Sequence, residues 1–260
     1  MKKEIKNIYN ILLQPYMRIL PGNMAFSFTM AIIPIISIIV FILNFLNMSF
    51  PLLSSKFNNI IPEAVLDTIF KALNGTGFNN ILFLIIGLWA SSAGMDALII
   101  ASDVIYGNDE SDYLKRKAKA IVLTFLVIFL IVINLGILVF GSSILNFVVN
   151  TFGLSTKILT LFNALKWPIA IILIFFIVKI IYVAAPSVKI KSKTVNKGAL
   201  FTTIFWIISS AIYSFYAGYI ANYGFKYGSF ANIIILLVWL YIMSFVLSLG
   251  TAINVNEYNK

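Results

Sequence analysis

Asp96 and Asp103 stand seven residues apart in an otherwise apolar run, inside the stretch Trp89–Lys119, WASSAGMDALIIASDVIYGNDESDYLKRKAK. On a helix this spacing sends both side chains from nearly the same face, and Ser92 extends that face. A carboxylate at the centre of a bilayer costs about 2.5–3.5 kcal/mol on insertion scales, so each acid needs a partner or water. Two chemistries suit such a pair: a proton- or cation-linked site, or a structural ion pair that clamps helices. Lys179 is the cation to test as a partner for Asp96, because it stands at a comparable depth in a later apolar run. Its alternative is snorkelling, with the ammonium reaching the headgroups from an apolar stem. Asn254 falls towards the same side, with Arg18 at its rim.

Other chemistry is scarce. The sequence holds neither cysteine nor histidine, which removes disulfides, thiol nucleophiles, imidazole bases and nearly every zinc or haem site. It carries no phosphate-binding glycine loop, no G-x-S-x-G, no H-E-x-x-H and no dinucleotide fingerprint. We expect no metal, no cofactor and no enzymatic activity.

The elements that must position these residues are membrane helices. Hydrophobic residues make up 61% and charged residues 11%, at a mean hydropathy of +0.99, whereas a soluble domain carries roughly 25% charged residues. A span needs about 20 apolar residues. Such runs fall at about 24–45, 79–105, 118–149, 164–184, 198–220 and 229–253. The expected fold is therefore all-α: a polytopic bundle of six transmembrane helices in a single membrane domain over 1–260. Two amphipathic interfacial helices accompany it, at about 4–20 and after Pro62-Glu63. Pro21-Gly22-Asn23 should break the first of these from the first span, and Pro34 should kink that span. Pro168 belongs to the first turn of the fourth span, and Ser111 is a candidate cap for the third.

Lysine and arginine set the orientation. Arg18, the cluster Lys115, Arg116, Lys117 and Lys119, and the cluster Lys189, Lys191, Lys193 and Lys197 fall on every second connection. The positive-inside rule then places both termini in the cytoplasm. The first of these clusters should face anionic lipid headgroups. A nucleic-acid partner is disfavoured, since no aromatic platform is interleaved with the bases. Small residues four apart, such as Ala90 and Gly94 or Ser244, Ser248 and Ala252, let membrane helices pack closely.

The residues also resemble a known family. MAFSFTMAIIPIISII, LWASSAGMDALIIASDVIYG, KRKAKAIVLT, and Tyr227-Gly228-Ser229 followed by VWLYIMSFVLSLGTAIN ending at Asn254 are similar to the YihY/BrkB family of bacterial inner-membrane proteins. The resemblance implies a six-span, multi-pass protein of the bacterial plasma membrane. It leads us to expect an amide at position 103, where this chain has Asp. Some members carry a ribonuclease label, but without histidine or a metal-carboxylate cluster phosphodiester cleavage lacks its usual groups. Three functions stay open. The first is transport or lipid handling of a small solute or lipid through a polar passage in the cytoplasmic half. The second is a structural or assembly role in the envelope, and the most remote is a membrane-bound ribonuclease.

Overall fold

In the computed structural model of the chain, the described residues are 9–45, 77–108, 112–153, 155, 157–223 and 228–259. Among them six long helices follow one another: α1 (Tyr16–Phe45), α2 (Gly77–Tyr106), α3 (Tyr113–Phe152), α4 (Lys157–Ala184), α5 (Asn196–Tyr223) and α6 (Gly228–Tyr258). No strand occurs among the described residues. Five stretches, one in each of α2 to α6, are long and apolar enough to cross a membrane. Large apolar side chains such as Phe147, Trp167 and Phe215 point outward from these helices, as expected where lipid rather than water is the surrounding solvent.

The helices pack antiparallel to their chain neighbours. Asn134 of α3 donates to Ala170 O of α4 at 3.3 Å, and further along Ser142 Oγ donates to Asn163 Oδ1 at 2.7 Å. Trp206 Nε1 of α5 donates to Met243 O of α6 at 3.0 Å, and Tyr213 lies against Trp239. Gly94 of α2 faces Phe28 and Ala31 of α1, with no room for a Cβ, so this small-residue stripe is where α1 and α2 approach. The starts of α1, α3 and α5 therefore share one end of the bundle with the finishes of α2, α4 and α6. That end carries Arg18, Lys115, Lys189, Lys191 and Lys193, all exposed. The main core cluster is drawn from all six helices and includes Met24, Ile99, Ala120, Val178, Ala199 and Leu247.

Several sequence expectations are corrected. Pro21-Gly22-Asn23 does not interrupt the chain, because α1 runs through both Pro21 and Pro34. The break falls earlier, between a short helical piece at 9–12 and Tyr16, around Pro15. The proline at 21 removes one backbone donor, and in a long, tightly packed helix that loss does not outweigh continuation. Pro168 likewise lies inside α4, which begins eleven residues earlier at Lys157. Asp112 caps α3, its carboxylate accepting from Leu114 N at 3.2 Å. Ser111, the expected cap, lies outside the described residues, as does the proposed helix after Pro62.

Candidate functional site

The α2–α3 pair is clamped by the first of the two acids. Arg116 Nε donates to Asp96 Oδ1 at 2.9 Å, with both side chains mostly buried. A carboxylate and a guanidinium taken partly out of water each lower the other's desolvation cost. Lys179, the partner suggested by depth, is half-buried and makes no ion pair among the described residues. The choice follows from Asp112, which starts α3 close enough to α2 for Arg116 to reach back.

Asp103 works differently. It is only 3% exposed and accepts from both Ser187 N, at 2.6 Å, and Ser187 Oγ, at 2.7 Å. Pro186 lies just past the end of α4, where a helix cannot continue, so the carbonyls and amides that follow need outside partners. Lys119 of α3 donates to Ala185 O and Pro186 O, both at 2.8 Å. One cation thus meets the carbonyls and one anion meets the N–H, joining α2, α3 and the α4–α5 turn in a bracket.

Three of the four residues expected to face lipid headgroups have protein partners. Arg116 holds Asp96, and Lys119 holds the turn. Lys117 is 8% exposed, with its ammonium 4.9 Å from the Trp89 ring centroid and 3.4 Å from Trp89 O. Lys115 is exposed.

Asn254 joins α5 to α6. Its Oδ1 accepts from Gly198 N at 3.0 Å, one of the orphan donors at the start of α5. Lys197 Nζ reaches Glu257 at 3.0 Å beside it. A turn earlier on α6, Gly250 lies against Tyr182 and Thr202, and any Cβ there would overlap the two hydroxyls. Tyr182 is buried; its hydroxyl bonds Thr202 Oγ1 at 2.5 Å and donates to Leu247 O at 2.9 Å. The G-x-x-x-N spacing of α6 is thereby explained: the glycine admits the Tyr182–Thr202 pair and the asparagine caps α5 across the helix interface. Asn254→Ala should lower stability by about 1–2 kcal/mol, the usual worth of a helix cap, readable as a lower melting temperature in detergent. An unchanged melting temperature would remove the cap from the account.

The candidate residues are thus not gathered into one cluster. Asp96, Asp103 and Asn254 each bond a different neighbour, and Arg18 is exposed. Between α1, α2, α4 and α6 lies a cavity of about 10 Å³, lined in part by Ser102, Tyr182, Ser248 and Thr251. That is room for about one water. Sequence reasoning missed Tyr182, Thr202, Ser187 and Gly198. A tyrosine near the end of an apolar helix was the available signal, since a buried phenol needs a partner.

The Virulence factor BrkB family matches residues 18–260, from the first turn of α1 through α6. The chain belongs to the BrkB family. Among BrkB-like relatives, the chain is 33% identical over 172 residues to YfkH of Bacillus subtilis (strain 168), a protein named as ribonuclease-like. That match covers 66% of this chain and 62% of YfkH. It is 29% identical over 121 residues to a UPF0761 membrane protein of Chromobacterium violaceum (strain ATCC 12472), covering 46% of this chain and 29% of the relative. The matches therefore span less than two thirds of either relative's length. No solved structure matches the chain. The BrkB match takes in every residue of the bracket and of the α5–α6 node.

Proposed function

We propose that this BrkB-family membrane protein crosses the bacterial plasma membrane six times with both termini in the cytoplasm, and that it transports or handles a small solute or lipid. The observation that carries this reading is where the polar groups lie. Asp103, Asn254, Tyr182 and the hydroxyl-lined cavity all gather at the end that carries the basic side chains. Intramembrane polar residues are expensive, and pathways are where they are most often kept. The exposed lysines at that end, Lys115, Lys189, Lys191 and Lys193, suit anionic headgroups of the cytoplasmic leaflet. A hydrolytic role has less support: the sequence has no histidine, and no group of three potential metal ligands converges among the described residues.

The alternative is a structural or assembly role, and one observation favours it. Asp96, Asp103 and Asn254 each already hold a protein partner. Asp96→Asn separates the two readings. Under transport, the variant inserts at the normal level and flux or lipid content falls at least tenfold towards the deletion strain. Under the structural role, the variant fails to accumulate because Arg116 loses its counter-charge. Normal accumulation with unchanged flux would count against Asp96 in both.

A further inference from the structure

The polar side chains that line the cavity between α1, α2, α4 and α6 are all hydroxyls. Ser102, Ser248 and Thr251 are each 4% exposed or less. Ser248 Oγ donates to Ser244 O and Thr251 Oγ1 to Leu247 O, both at 3.1 Å and one helical turn earlier. Their protons are committed, so what they offer the cavity is lone pairs. Ser102 bonds nothing among the described residues although it is buried, and a buried polar group in that state points to an occupant. A helical serine can turn its proton to the carbonyl four residues earlier, which frees its lone pairs as well. Tyr182 walls the α4 side, its hydroxyl already engaged with Thr202 and Leu247 O.

Electrostatics choose the sign of that occupant. Two lining residues stand at helix C-terminal ends: Ile105 is one residue before the end of α2, and Tyr182 two before the end of α4. Such ends carry a partial negative charge. The bracket beyond them holds one carboxylate and one ammonium, Asp103 and Lys119, and adds no net charge. An anion would meet no side-chain N–H here. A divalent ion is also poorly served, because no carboxylate lines the cavity and hard divalent sites recruit Asp or Glu. About 10 Å³ admits one particle of the size of water. We propose that the cavity binds a single alkali-metal cation through the hydroxyl oxygens of Ser102, Ser248 and Thr251. Water completes its shell where the cavity is not enclosed. The site deepens the transport reading above, on which the cation is the coupling ion.

The test is thermal melting of the full chain in mild detergent, in sodium, potassium or N-methyl-D-glucamine chloride at equal ionic strength. The organic cation is too large to enter and serves as the baseline. Sodium or potassium should raise the melting temperature by about 3–5 °C at roughly ten times its dissociation constant. Ser102→Ala should melt with the wild type in the organic salt, since Ser102 has no bond to lose, and its alkali shift should fall by at least half. Thr251→Ser keeps the hydroxyl and should keep the shift. Equal melting in all three salts would mean that the cavity holds water alone, and the site is refuted. An alkali shift that survives intact in Ser102→Ala also refutes it, because the ion would then bind elsewhere. Melting needs no transported solute. A shift without flux counts against the transport reading and leaves the site standing, whereas flux without a shift counts against the site alone.

Discussion

Gly250→Ala is expected to leave little folded protein, the largest single loss foreseen for this chain. The added methyl would overlap the hydroxyls of Tyr182 and Thr202. Neither can move aside cheaply: Tyr182 is buried and bonds both Thr202 and Leu247 O, and Thr202 is wholly buried on α5. Overpacking a tight core costs about 1–3 kcal/mol, and each hydrogen bond given up adds about 1 kcal/mol. A loss of roughly 3 kcal/mol or more follows. Size-exclusion chromatography and thermal melting in mild detergent would report it as aggregation or a much lower melting temperature. A Gly250→Ala protein that melts with the wild type would show that α4, α5 and α6 do not depend on this approach.

Asp103→Ala should be the next most damaging change. It removes the acceptor for Ser187 N and Ser187 Oγ and leaves Lys119 without the carboxylate nearby. Hydrogen bonds to charged groups contribute about 1.5–3 kcal/mol each. Ser187 is exposed, so water recovers part of this and a net loss of about 2–3 kcal/mol remains. Asp103→Asn keeps one acceptor oxygen and should lose about half as much. Equal melting temperatures for Asp103→Ala and wild type would mean that the bracket contributes nothing to stability.

Much of the helical layout was legible because a membrane-length apolar run has few alternatives. The limits drawn for the second and fifth spans lie within three residues of α2 and α5. The errors came from applying aqueous rules to proline. In water a freed carbonyl or a lost helical bond readily ends a helix, but in a packed apolar bundle ending it exposes more backbone than one proline does. That is why α1 continues through Pro21 and α4 through Pro168.

The site was less legible. Depth along each span suggested Lys179 for Asp96, yet the pairing depends on where α3 begins, and Asp112 sets that through a local cap. Asp103 was visible as an oddity, but its partner lies 84 residues away on a turn that no periodicity describes. The G-x-x-x-N spacing lies within the family-like segment that ends at Asn254. Its physical content, one residue admitting a hydroxyl pair and the other capping a foreign helix, needs the α5–α6 contact to be seen.

The bond from Gly198 N to Asn254 Oδ1 also bears on how the protein is made. The two residues are separated by 56 positions, which include the remainder of α5, the connection and most of α6. During synthesis, the start of α5 emerges long before its cap exists. The cap forms only once α6 has returned its far end to the side from which α5 set out. A hairpin with one arm left outside the bilayer would keep an amide and an asparagine unsatisfied in an apolar medium. The α5–α6 node is therefore completed by both arms together or by neither.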